Sequence, residues 1–102
     1  QGALRSALSA KLRDGKLIVV PGLEIPAPRT RDLARLVAGL GITGTALLVD
    51  EPVSRNLELS ARNLSNVKAT RGTAINIVDI IKFDTLVLTE AAAGRVAEVL
   101  QP

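Results

Sequence analysis

With 102 residues, 47% of them apolar, the chain has material for one hydrophobic core and one domain, residues 1–102, rather than two. Cysteine and histidine are both absent, which excludes a disulfide framework, a thiolate zinc site and imidazole chemistry. The net charge of +3 is too modest to name a partner by itself, and no run approaches the roughly 18 apolar residues of a bilayer-spanning helix.

The chain opens on QGALRSALSAKLRDGK, charged where a signal peptide would be apolar, which predicts a soluble, unexported protein. Within it Leu4, Ala7, Leu8 and Leu12 recur at helical spacing and predict a first helix with those four side chains against a core. LIVV at 17–20 reads as a strand. The segment PGLEIPAPRT, 21–30, holds three prolines and cannot be a helix interior, so it is expected as an extended connection across the top of that strand. Thr30 is the expected N-cap of a second helix carrying Leu33, Leu36, Val37 and Leu40 on its core face, and Gly39 and Gly41 mark its end. ALLV at 46–49 is a second strand. Pro52 and Ser54 introduce a helix over 55–63, followed by a third strand, NVKAT, at 66–70. Asn76, with Asp79 three residues on, caps a helix over 77–82; TLVLT at 85–89 is the fourth strand; Thr89 and Glu90 open a last helix.

The order is αβαβαβαβα, with strand runs aliphatic on both faces and Phe83 as the only aromatic residue. That pattern predicts an α/β fold: a small three-layer domain, a mainly parallel four-stranded sheet covered by about five helices.

No set of residues assembles into a catalytic constellation. Gly39, Gly41 and Gly44 match the spacing of a dinucleotide fingerprint, but they follow a helix and lead into a strand, and Asp50 lies six residues on rather than about 20. Ser65 and Lys68 match SxxK yet straddle a helix end and a strand. Asn63, Leu64 and Ser65 form a glycosylation sequon that an unexported chain does not use. Asp79 and Asp84 read as cap and turn residues rather than as a carboxylate pair. Neither a metal nor a cofactor is expected, and the chain is read as no enzyme.

Charge is unevenly spread. Residues 1–16 carry Arg5, Lys11, Arg13 and Lys16 against Asp14; residues 54–73 carry Arg55, Arg62, Lys68 and Arg71 against Glu58; Arg29, Arg31 and Arg35 stand against Asp32; residues 74–102 are net acidic. Without aromatic platforms for unpaired bases, such a surface suits folded RNA met through phosphates and shape, with arginine favoured for its planar fork. Arg5, Ser9 and Arg13 form one polar helical stripe; Arg55 and Arg62, beside Asn63, form another. Arg13 and Arg35 are read as ordinary solvated helix surface. This reading requires the binding cations to be gathered on one side of the molecule. Two other classes were weighed: a small nucleotide-binding enzyme domain, and a module whose acidic end docks a basic protein.

Five strings, ALRSALS at 3–9, KLIVV at 16–20, APRT at 27–30, LSARNLSNV at 59–67 and INIVDIIKFDTLVLTEAA at 75–92, together make the chain resemble the bacterial-type large-subunit ribosomal protein L-four family. The resemblance runs in order over nearly the whole chain. It implies an α/β globular domain that binds large-subunit ribosomal RNA early in assembly, lies beside neighbouring large-subunit ribosomal proteins, and works in the cytoplasmic ribosome with no membrane and no small-molecule substrate. Some bacterial members also repress their own operon through messenger leaders. The family's amino-terminal strand and its long glycine- and arginine-rich tunnel loop have no counterpart here, so the chain is expected to be a fragment covering about half of the family's length. Carried onto this sequence, the resemblance and the charge pattern select Arg5, Lys11, Lys16, Arg29, Arg62 and Asn63 as RNA-binding residues; Arg55 and Arg71 join them from outside the shared strings.

Overall fold

The computed structural model describes residues 2–23, 25 and 29–99. The elements run α1 (Gly2–Arg13), β1 (Leu17–Val20), α2 (Thr30–Gly39), β2 (Ala46–Asp50), α3 (Arg55–Arg62), β3 (Val67–Arg71), a 3-10 turn (Gly72–Ala74), α4 (Ile77–Lys82), β4 (Thr85–Thr89) and α5 (Glu90–Val99). All four strands are parallel, in the order β1-β4-β2-β3. The expected α/β architecture, helices on both faces of a parallel sheet, is therefore present.

Strand order decides which helix covers which face. The β1-to-β2 and β2-to-β3 connections advance in one direction across the sheet, and the β3-to-β4 connection returns. Right-handed crossovers then place α2 and α3 on one face and α4 on the other. The cores agree: Leu33, Val37, Leu57 and Ala61 pack with Ala46, Leu48, Val67 and Val87, while Leu4, Leu8, Ile80, Ala92 and Val96 pack with Leu47, Val49, Leu86 and Leu88 on the opposite face. Alternate residues of β2 and β4 thus feed alternate layers, as a strand's two-residue period requires. Apart from half-buried Asp50 at the end of β2, the two middle strands are buried, which is why they read as aliphatic runs.

Local signals set most helix starts. Ser54 Oγ accepts from Leu57 N at 3.1 Å, and Asn76 Oδ1 accepts from Asp79 N at 2.9 Å while its Nδ2 donates to Asp79 Oδ2 at 3.2 Å, each satisfying an amide that the first turn leaves open. Thr89 Oγ1 accepts from Ala92 N at 3.1 Å and donates to Asp50 Oδ1 at 2.9 Å, so one buried hydroxyl both opens α5 and joins β4 to β2. Gly41, at φ 79°, supplies the left-handed turn after α2.

Three expectations are corrected. Thr30 is the first residue of α2, not its cap; Arg29 occupies the cap with no side-chain bond to the helix, because the extended backbone continues one residue less than the threonine suggested. Leu12 is 64% exposed, because it lines an open groove beside Leu17 and Val19 of the edge strand β1 rather than a closed layer. The third strand begins at Val67 rather than Asn66. Of the proline-rich connection, Leu23 and Ile25 are buried and Arg29 is extended; the expectation for 24 and 26–28 falls outside the described residues.

Candidate nucleic-acid interface

The structure does not gather the eight selected residues on one side. Arg5 and Lys11 belong to α1, whose Leu4 and Leu8 pack in the α1, α4 and α5 layer, and Lys16 stands just before β1, at the amino end of the sheet. Arg29 begins α2, Arg55 and Arg62 lie on α3 and Asn63 caps its end. Arg71 follows Val67 and Ala69 in strand alternation, and both of those pack into the α2–α3 layer, so Arg71 faces that side too. The single surface that the sequence reading required is therefore not formed by the selected set: two of the eight lie on one side, five on the other and Lys16 at the amino end of the sheet, and only the five of the α2–α3 side remain as a group. The physical reason is the sheet itself, which separates α1 from α2 and α3 however similar their spacing looks in the sequence.

The two groups also differ in what holds their charge. Lys11 Nζ donates to the carbonyls of Phe83 and Asp84 at 2.9 and 3.0 Å, just past the end of α4, where orphan carbonyls and the helix dipole favour a cation. Lys16 Nζ pairs with Asp84 Oδ2 at 3.2 Å. On the same side Arg13 stands 3.7 Å from Asp14, Lys82 Nζ lies 5.7 Å from the centre of the Phe83 ring, Arg95 pairs with Glu98 at 2.9 Å and Arg5 is engaged as well. Lys68, from β3, holds both carboxylate oxygens of buried Asp79 at 3.1 and 3.3 Å. Every described cation of that side therefore has an intramolecular partner.

On the α2–α3 side Arg62 pairs with Glu58 at 2.6 Å, an exposed i, i+4 contact. Among the described residues, no hydrogen bond or ion pair engages the side chain of Arg29, Arg31, Arg35, Arg55 or Arg71, and all five are exposed. Arg31 was not singled out from the sequence, and Arg35 was read as plain surface. The signal in the sequence is three arginines within seven residues, 29–35; what the sequence does not show is that none of them meets a partner among the described residues.

The cavity of about 680 Å³ at the carboxyl end of the sheet is lined by Gly22, Leu23, Ile25, Asp50, Pro52, Ser54 and Asn56, the place where open α/β sheets bind ligands. Its polar groups are used internally: Asp50 Oδ1 accepts from Glu51 N at 2.7 Å as well as from Thr89, and Asn56 Nδ2 donates to Ile25 O at 2.9 Å. Gly39 ends α2, and Gly41 and Gly44 lie between it and β2, at the opposite end of the sheet from that cavity, so their spacing makes no phosphate loop. Among the described residues no group of three or more carboxylates could hold a metal ion, and no helix is long and apolar enough to cross a membrane.

The family model described as "Ribosomal protein L4/L1 family" matches residues 1–99. The chain is 45% identical over 98 residues to a large ribosomal subunit protein uL4 of Moorella thermoacetica, covering 96% of this chain and 47% of that protein. The protein of the same name from Koribacter versatilis is 39% identical over 100 residues, covering 98% of this chain and 46% of its own length. That of Staphylococcus carnosus is 41% identical over 98 residues, covering 96% and 47%. The chain spans a little under half the length of these relatives.

Proposed function

The chain belongs to the ribosomal protein L4/L1 family, and we propose that it is the RNA-binding globular domain, residues 1–102, of a structural protein of the large ribosomal subunit. Its role is to neutralise phosphates of large-subunit ribosomal RNA and to support early assembly of the subunit in the cytoplasmic ribosome, among neighbouring large-subunit proteins. It catalyses no reaction and takes no cofactor. The relatives' names, large ribosomal subunit protein uL4, support the setting, and the unpaired arginines of the α2–α3 side carry the chemistry. Of the residues selected from the sequence, Arg29, Arg55 and Arg71 are the ones whose charge is uncommitted, and Arg62 with Asn63 extends their surface. Lys11 holds the carbonyls of Phe83 and Asp84 and so fastens α1, and Lys16 holds the carboxylate of Asp84; both are occupied before they meet any RNA. A surface that reads phosphates and shape also accepts a messenger leader folded like its ribosomal target, which supplies the regulatory role implied by the family resemblance.

The test is binding of in vitro transcribed large-subunit ribosomal RNA across a salt titration. The logarithm of affinity should fall steeply and linearly with the logarithm of salt, since each neutralised phosphate releases counterions. An affinity indifferent to salt would contradict the proposal.

A further inference from the structure

We propose that the outward side of α2, through Arg31 and Arg35, is a phosphate-contacting surface for double-helical RNA, continuous with Arg29, Arg55 and Arg71. This rests on the RNA-binding reading above and names the surface that does the binding.

Four observations carry it. Arg31 and Arg35 are one helical turn apart, about 6 Å along the axis, and both lie opposite Leu33 and Val37, which α2 buries in the core. Neither has an intramolecular partner among the described residues, nor do Arg29, Arg55 and Arg71. Only Asp32 and Glu58 contribute negative charge to the two helices, and Glu58 is already paired with Arg62. Finally, all five uncommitted cations are arginine, whose rigid fork meets a phosphate in two places where lysine offers a point charge.

The chemistry favours RNA over an anionic membrane. A helix that lies on a bilayer turns large apolar side chains outward to enter it. Here the exposed large apolar residues are Leu12, Val19, Ile77, Val78 and Ile81, none of them on α2 or α3; those two helices spend their leucines and valines on the core. With no aromatic residue on this surface, unpaired bases have nothing to stack on, whereas the phosphates of a paired helix need only the guanidinium groups.

The experiment compares three variants of the whole chain: Arg31→Ala with Arg35→Ala; Arg31→Lys with Arg35→Lys; and, as a charge-matched control on the opposite side, Lys82→Ala with Arg95→Ala. Each is titrated with salt against a fully paired RNA duplex, the transcribed ribosomal RNA and phosphatidylserine vesicles, and thermal unfolding checks that the fold persists. The alanine pair is expected to lower the salt slope on both RNAs by about two units, one per lost phosphate contact. The lysine pair should keep the slope while weakening affinity, and the control should leave both unchanged. An equal fall in slope for the control and the alanine pair overturns the proposal, because charge anywhere would then suffice. Loss of vesicle binding with RNA binding intact overturns it in favour of a membrane. An alanine pair that binds RNA like the parent sinks the α2 surface alone; a parent that binds no RNA sinks the RNA-binding reading itself.

Discussion

On one side of the sheet α2 and α3 bury Leu33, Val37, Leu57 and Ala61 and present arginines that, Arg62 apart, meet no partner among the described residues. On the other side α1, α4 and α5 bury a matching set, but there the cations are fastened to carbonyls, carboxylates or a ring, and it is apolar side chains, Val78 at 67% and Ile81 at 70% exposure, that reach solvent. Packing is alike on the two sides and surface chemistry is not. The difference teaches that net charge is a poor guide to a polyanion-binding side: the segment 1–16 is as basic as 54–73, yet its lysines are occupied in holding the molecule together.

If the two layers are equally packed, Leu57→Ala and Ile80→Ala, at 0% and 1% exposure, should each cost about 2–5 kcal/mol. Urea unfolding measures both, and tolerance of one alone would show that its helix is not part of a packed layer. Gly72→Ala comes next, at about 1–3 kcal/mol, because a Cβ there would lie 3.2 Å from the Ala92 carbonyl oxygen and 3.3 Å from Arg95 Cβ. The same change at Gly94, in α5 with open space around it, should stabilise by about 0.5–1 kcal/mol; two melting curves of opposite shift check the contrast. Ser54→Ala removes the side-chain cap of α3 and should lower stability by about 1 kcal/mol, with RNA binding weakened only as far as the first turn of α3 loosens Arg55. The smallest effect is electrostatic. Glu58→Gln releases Arg62 from its pair and should tighten RNA binding by up to about 1 kcal/mol, while Glu98→Gln, which frees Arg95 on the other side, should leave RNA affinity where it was.

Much of the fold was legible because its signals are local. The four strand runs, the caps at Ser54 and Asn76 and the stop at Gly41 each follow from a few neighbouring residues, and each stands in the structure. The 3-10 turn at Gly72–Ala74 was missed, being too short to show a period. The candidate surface was less legible for two physical reasons. Whether a helix lies on one face or the other depends on strand order and crossover hand, which local spacing does not encode. Whether a lysine is available depends on contacts far along the chain: the carbonyls that engage Lys11 belong to residues 72 and 73 positions away. Arg29 and Arg35, by contrast, meet no distant partner among the described residues, which no local spacing foretells.

The strand order has one more consequence, for the making of the protein. β4 lies between β1 and β2, yet it is the last of the four to be synthesised. Among the four described strands β1 therefore has no partner while residues 21–84 are being added, and these four join into one sheet only when 85–89 slide into the gap. Until that late insertion β2 and β3 can form no more than a two-stranded pair, whose hydrogen-bonding edge at β2 stays open to whatever the nascent chain encounters.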